Sequence, residues 1–270
     1  MVSFPPCKIN LGLNIIRKRS DGYHDIETCF YPVPWTDILE IIVSDQVTFA
    51  STGLTIPGNT DDNLCLKAYY LIKKDFDIAP VKIHLHKIIP TGAGLGGGSS
   101  DAAFTLRMLN EIFKLNLSTT QLLSYASQLG SDCAFFIQDK PMLGEGRGEI
   151  LSEIDVDLKG KFLVIVKPDV HVSTANAYAG VKPEVPSVRL KNVLEKRTHE
   201  WRRSLKNDFE ESVFIRYPEI KEIKEKLYSE DALYASMSGS GSAVFGIFEK
   251  NPQSIKLKEG LDIKTYNCLL

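Results

Sequence analysis

The sequence lacks most of the features that class a protein by composition alone. Its five cysteines (Cys7, Cys29, Cys65, Cys133 and Cys268) are odd in number, far apart and form no Cys-x-x-Cys pair, which argues against a disulfide framework and against a zinc site. No apolar run approaches the roughly 20 residues needed to cross a bilayer. The opening Met-Val-Ser-Phe-Pro-Pro has no basic start followed by an apolar stretch. We therefore expect a cytoplasmic protein with no membrane partner. Charge of one sign is also lacking: 32 basic against 34 acidic residues leave a net charge of −2, with no long single-sign block. The electrostatic footprint of a duplex-binding protein is missing, so nucleic acid is not an expected partner. No internal repeat or low-complexity linker interrupts the chain, and nothing in it reveals an oligomeric state.

What is present is globular: 43% hydrophobic and 24% charged residues over 270 positions, enough for one large domain or two modest ones. Nineteen glycines are an ordinary number, but ten of them fall in three short clusters, at 92–98, 144–148 and 239–241. Between Lys8 and Ile15 the chain alternates, Ile9, Leu11, Leu13 and Ile15 opposite Lys8, Asn10, Gly12 and Asn14, which predicts a strand with one polar face. Further strands are expected at 37–43, 47–50, 81–85, 162–166, 235–238, 243–248 and 263–269. Helices are expected after Asp62, from Ser99 or Ser100, between Ser118 and Gly130, over a charged stretch at about 188–206, and from Tyr217 to Tyr228. This order has no strict βαβ alternation, so the fold class is α+β in two lobes, with a boundary near residue 155.

The segment Pro90-Thr-Gly-Ala-Gly-Leu-Gly-Gly-Gly-Ser-Ser-Asp-Ala-Ala103 runs from a predicted strand into a predicted helix. Glycines let several N–H groups turn toward one point, and the helix start adds unpaired donors and the positive end of its dipole; such a loop is an anion cradle. Gly92-x-Gly94-x-x-Gly97 also fits a dinucleotide fingerprint. A Rossmann unit, however, needs a second parallel strand after the helix, and here Ser118 opens another helix. No Gly-x-x-x-x-Gly-Lys-Ser/Thr run is present.

Three segments, this loop, Pro6-Cys-Lys-Ile-Asn-Leu11 with Arg19-Ser-Asp-Gly-Tyr-His24, and Met237-Ser-Gly-Ser-Gly-Ser242, together resemble the GHMP kinases over essentially the whole chain. The resemblance implies a two-lobed GHMP-kinase-like fold with the active site in the cleft between lobes. Residues 1–155 would be the ATP-binding lobe and 156–270 the substrate lobe. It implies phosphoryl transfer from ATP, carried with Mg²⁺, to a small alcohol. Through its Asp-Gly-Tyr-His segment, the most member-specific piece, the resemblance implies as acceptor the 2-hydroxyl of 4-diphosphocytidyl-2-C-methyl-D-erythritol, an isoprenoid precursor. Cys7 and Cys133 are mild departures from the family pattern, where alanine and an apolar residue are common.

The same resemblance implies roles for individual residues, each of which also has a plainer reading. Asp132 would be the catalytic base, although an Asp after Gly130 can simply cap a helix. Lys8 would be its partner, although it can equally be a solvent-facing lysine. Pro90, Gly92, Gly94, Leu95, Gly96, Gly97 and Gly98 would hold the phosphates of ATP, and Ser99 and Ser100 would touch the phosphates or Mg²⁺, or one serine would be simply an N-cap. Asn63 and Leu64 would wall the adenine, or Leu64 would belong to the core. Tyr23 would stack on cytosine, His24 would hydrogen-bond it, Tyr178 would close the other side and Asn10 would bind nearby; Asp21-Gly22 can also be only a turn. Gly239 and Gly241 would bring a loop to the site, or form a tight hairpin. The glycines at 144–148 read as a structural turn, and His84 and His86 as exposed. No acidic pair stands out as a metal cage, and we name no metal ligand in the chain.

Overall fold

The computed structural model describes residues 1–252, 255 and 263–270. In chain order the strands are β1 (Val2–Ser3), β2 (Pro6–Lys18), β3 (His24–Thr36), β4 (Ile38–Val43), β5 (Thr48–Gly53), β6 (Val81–Lys87), β7 (Met142–Glu145), β8 (Ile150–Glu153), β9 (Phe162–Pro168), β10 (Tyr234–Met237), β11 (Val244–Phe248) and β12 (Ile263–Leu269). The helices are α1 (Leu64–Asp75), α2 (Gly97–Ile112), α3 (Thr119–Leu129), α4 (Cys133–Gln138), α5 (Thr174–Ala179), α6 (Leu190–Leu194), α7 (Phe209–Arg216) and α8 (Pro218–Ser229). The α+β class expected above is what the chain adopts. No helix among the described residues is long and apolar enough to cross a membrane.

Two compact units form, and they follow a different division from the one expected at residue 155. The first contains Met1–Lys8, Trp35–Thr91 and Gly96–Lys140; the second contains Ile9–Pro34, Gly92–Leu95 and Pro141–Leu270. The difference arises because β2 and β3 are 13 residues each, long enough for one strand to leave one unit and continue in the other.

In the first unit the sheet order is β1-β4-β6-β5, with Leu39 opposite Leu85 and Ile41 opposite Ile83 in the antiparallel β4/β6 pair. β5 runs parallel to β6, and a parallel pair needs a crossover; α1 supplies it. Helix α1 buries Cys65, Ala68, Tyr69 and Ile72, the i, i+3, i+4, i+7 stripe of an amphipathic helix. Its cap is Asn63, whose side chain accepts from the Cys65 amide at 2.9 Å, not Asp62, which lies in a short 3₁₀ turn over Thr60–Asp62. Ser118 caps α3 as expected, in a capping box with Gln121. His84 and His86 are half-buried on β6, not exposed, and both contact the Thr52 hydroxyl, at 3.1 and 2.8 Å.

The second unit holds two sheets, β2-β3-β7-β8 and the antiparallel β10-β11-β9-β12. Its core joins Leu13 and Ile15 of β2, Val164 and Val166 of β9, Phe209 of α7, and Ile220, Ile223 and Leu227 of α8. Pro218 begins α8 at a position where its missing N–H costs nothing. Gly146 and Gly148 form the turn between β7 and β8, whereas Gly144 is paired within β7, opposite Leu151. The single helix expected at 188–206 is instead α6 followed by a 3₁₀ turn over Thr198–Arg203. The side chains of Leu190, Val193, Leu194 and Trp201 are buried in this stretch, while the charged Lys191, Glu195, Lys196, Arg202 and Arg203 are exposed. None of the five cysteines is in a disulfide, and Cys7, Cys29, Cys65 and Cys133 are buried.

Candidate active site

The glycine loop owes its shape to close approaches. Gly92, Gly94 and Gly96 all have positive φ, at 62°, 77° and 71°. Gly94 belongs to the second unit, where a Cβ would stand 1.9 Å from the carbonyl oxygen of Ser238; the Ser238 hydroxyl in turn donates to the Gly94 carbonyl at 2.9 Å. The turn carrying Gly239 and Gly241 therefore packs on the loop residues Ala93 and Gly94, as Ala243 N–H to Ala93 O at 3.1 Å also shows. Leu95, named above as a nucleotide residue, is buried at 1% exposure, as expected of a packing side chain.

In the first unit the loop enters α2. Gly96, in the left-handed conformation, takes the N-cap position, and no side chain caps the helix. Ser99 and Ser100 thus lie within the first turn and do not precede it. Gly can serve at this position because the helix must begin from a backbone geometry closed to serine. Ser100 Oγ is buried and has no hydrogen-bond partner, and the first amides of α2 are the unsatisfied donors of any helix start. Pro90 is buried just ahead of this turn.

Beside that helix start stands the pair expected from sequence. Lys8 Nζ lies 3.4 Å from Asp132 Oδ2; the lysine side chain is 4% exposed and the aspartate 31%. A Cβ on Gly96 would meet Lys8 Cε at 3.1 Å, which sets the ammonium's stem directly against the first residues of the anion loop's helix. Asp132 sits at the N-cap of α4, yet its side chain makes no capping hydrogen bond. The capping alternative therefore does not explain the residue. Nor is Lys8 solvent-facing: the polar side of β2 is as buried as the apolar side, with Lys8 at 3% and Asn10 at 2%. An ammonium taken out of water in this way costs several kcal/mol unless an anion stands nearby.

A cavity of about 270 Å³ in the same unit is lined by Asn63, Leu64 and Gly98, together with Pro57, Asn59 and Thr60. Gly98 leaves open space there, its nearest neighbour being Leu64 Cδ1 at 4.0 Å from a hypothetical Cβ. The stretch 56–60 is not among the residues expected from sequence. Its Pro-Gly-Asn turn signal ahead of α1 is what could have pointed to it.

The remaining expected residues lie in the second unit. The rings of His24 and Tyr178 stack at 4.7 Å with an interplanar angle of 19°, and Tyr178 meets Phe209 edge-on at 4.8 Å. Tyr178 thus lies on His24, whereas Tyr23 is 57% exposed with the Arg147 guanidinium 5.0 Å from its ring centroid. The Asp21-Gly22 turn is real: Gly22 has φ 86°, and Asp21 accepts from the Tyr23 amide at 3.1 Å while pairing with Arg19. Burial, with the Lys18 ammonium adding to it, holds the His24 imidazole below its ordinary pKa, so it is neutral at pH 7 and offers one donor and one acceptor. Asn10 donates to Thr28 Oγ1 at 2.9 Å and accepts from Ser238 Oγ at 3.5 Å. Among the described residues no cluster of three or more His, Cys, Asp or Glu side chains is placed to hold a metal ion.

Known proteins match nearly the whole chain. The chain matches the GHMP kinases N terminal domain over residues 63–140, which take in the cavity helix, the glycine loop and Asp132, and the GHMP kinases C terminal domain over 190–267. It is 51% identical over 255 residues to 4-diphosphocytidyl-2-C-methyl-D-erythritol kinase of Cytophaga hutchinsonii, covering 94% of each chain. To the protein of the same name in Bacteroides thetaiotaomicron it is 53% identical over 253 residues, covering 92% of each. A crystal structure of 4-(cytidine 5'-diphospho)-2C-methyl-D-erythritol kinase superposes with a TM-score of 0.79 at 31% identity, over 92% of this chain and 90% of that one. With both family domains matched and half of its residues identical to such enzymes along nearly its full length, the chain belongs to the GHMP kinase family.

Proposed function

We propose that the protein transfers the γ-phosphoryl group of ATP to the 2-hydroxyl of 4-diphosphocytidyl-2-C-methyl-D-erythritol, giving the 2-phosphate and ADP, a step toward isoprenoid precursors. The observation that carries this reading is the Lys8–Asp132 pair, 3.4 Å apart and packed against Gly96 at the start of α2. An alcohol is a far weaker acid than a carboxylic acid, so Asp132 does not strip the hydroxyl beforehand. It orients the hydroxyl and accepts its proton late, as the P–O bond to the leaving ADP loosens. The Lys8 ammonium, beside the carboxylate, steadies the oxygens that gain charge. The unpaired amides at the start of α2 and the loop hold the phosphates, and the cavity beside Asn63 and Leu64 takes the adenine.

Mg²⁺ fits this donor set, because the buried Ser100 hydroxyl has no partner of its own and Ser99 stands next to it. These two serines would hold it together with ATP, and the ion supplies charge neutralisation on the phosphates. Dependence on ATP and five cysteines outside any disulfide support a cytoplasmic location.

The reading is tested by ADP release from purified protein with ATP and Mg²⁺, offering the cytidine-linked alcohol beside mevalonate, homoserine and galactose. Turnover is expected with the first alone; turnover restricted to any of the others overturns the substrate. At the cytidine end, Tyr23→Ala is expected to raise KM for the alcohol about 5- to 100-fold, the loss of one base stacked on an aromatic ring, while KM for ATP stays put. Because Tyr23 is 57% exposed, the fold does not suffer, and an unchanged KM removes it from the cytidine contact.

A further inference from the structure

Directly beneath the start of α2 lies a second group of charges that the reaction does not use. Lys87, the last residue of β6, is 2% exposed, and its Nζ lies 2.5 Å from Asp37 Oδ2 and 2.7 Å from Asp101 Oδ2. Asp37 is completely buried. Its other oxygen accepts two further hydrogen bonds, from the amides of Ile88 at 2.6 Å and Ile89 at 2.8 Å, the residues that lead into Pro90 and the glycine loop. Asp101 lies one turn into α2, beyond the loop, and its Oδ1 has no hydrogen-bond partner. A Cβ on Gly97 would stand 3.0 Å from Lys87 Nζ, so the ammonium touches the backbone where α2 begins.

We propose that Asp37, Lys87 and Asp101 are positioning residues that hold both ends of the glycine loop in register and thereby set the affinity for ATP. The inference rests on the reading of that loop as the ATP phosphate site. Asp37 fixes the strand end through two amides, Asp101 belongs to the helix, and Lys87 ties the two carboxylates together. One loop end is thus joined to the other by ionic hydrogen bonds among buried side chains, where such bonds are strong and an incomplete set is costly. Neither end can shift without breaking one of them. The cluster has two acids for one amine, and burial, together with the Asp37 charge, pushes the Asp101 carboxyl up to about 7. For Lys87, burial works against the charge but the two carboxylates outweigh it, so its ammonium is retained. Lys87 and Asp101 also line the 270 Å³ cavity, so the network is continuous with the wall of the proposed adenine pocket.

The test is calorimetric binding of ATP with Mg²⁺ to wild type and variants, with kcat and both KM values measured in parallel and folding followed by circular dichroism. Asp37→Ser loses the reach to both amides and to Lys87. It is expected to weaken ATP binding and raise its KM at least about tenfold, with kcat at saturating ATP and KM for the alcohol near wild type. Asp37→Asn keeps an oxygen for the Ile88 and Ile89 amides and should recover most of that loss. The paired change Lys87→Met/Asp101→Asn removes one charge of each sign and gives the same reading where Asp37→Ser does not fold. It too should weaken ATP binding by about tenfold. Folded variants that bind ATP within twofold of wild type overturn the positioning role while leaving the kinase reading intact. A wild-type protein that binds no ATP overturns both.

Discussion

Asp132→Asn is expected to lower kcat by about 10²- to 10⁴-fold, the contribution of a positioned general base, while ATP binding stays near normal. Asparagine has the same shape and can still present an oxygen to Lys8, but its amide cannot take a proton from the acceptor hydroxyl. Its effect thus separates chemistry from packing. Asp132 is 31% exposed and makes no capping hydrogen bond to α4, so the helix does not depend on its charge. Lys8, at 4% side-chain exposure, loses the anion beside it, and a modest fall in melting temperature should accompany the loss of rate. Single-turnover kinetics with saturating ATP read the chemical step directly. Turnover close to wild type would falsify the role of Asp132 as base.

The second large effect is structural. Gly94→Ala places a methyl group 1.9 Å from the Ser238 carbonyl oxygen, a backbone atom that cannot swing away as a side-chain tip can, at a residue whose φ is +77°. The left-handed conformation alone costs a non-glycine residue about 1–2 kcal/mol. The clash must be relieved by moving the 92–95 segment or the turn at 238–241, which forfeits the Ser238 hydroxyl bond to Gly94 at 2.9 Å. Together these losses amount to about 3 kcal/mol, or a fall of about 6–12 °C in Tm for a chain of this size. Thermal melts followed by circular dichroism check this, and a variant melting with the wild type shows that the close approach carries no energetic weight. Gly22→Ala makes a useful contrast, since φ is +86° there but no atom stands within 4 Å of the added methyl.

Much of this architecture is readable from local pattern. The strand patterns of β2 and β6 and the Ser118 start of α3 are short-range signals, and these elements are met in the structure. The glycine loop is legible for the same reason, since its strand-to-helix setting lies within about a dozen neighbouring positions. Capping is where local reading errs. Ser99 and Ser100 are better N-caps than glycine on preference alone, but the chain must turn in the left-handed conformation at Gly96, which starts the helix earlier. What the pattern cannot supply is which polar residues become buried. Lys8 and Asn10 alternate with apolar neighbours as solvent-facing residues do, and only tertiary packing covers them. The Asp37–Lys87–Asp101 cluster is invisible for a related reason: its members are 50 and 14 positions apart, and each alone is an ordinary charged residue.

The buried thiols bear on how the protein ages. Burial pushes Cys133 up to about 12 and Cys29 and Cys65 higher still, so almost none of their sulfur is thiolate at neutral pH. Alkylating agents and peroxides react with the thiolate, and they reach these atoms only when the surrounding structure opens. Oxidation of these three thiols is therefore paced by the opening of the fold and not by the oxidant, so that they act as a record of how often the folded chain has come apart.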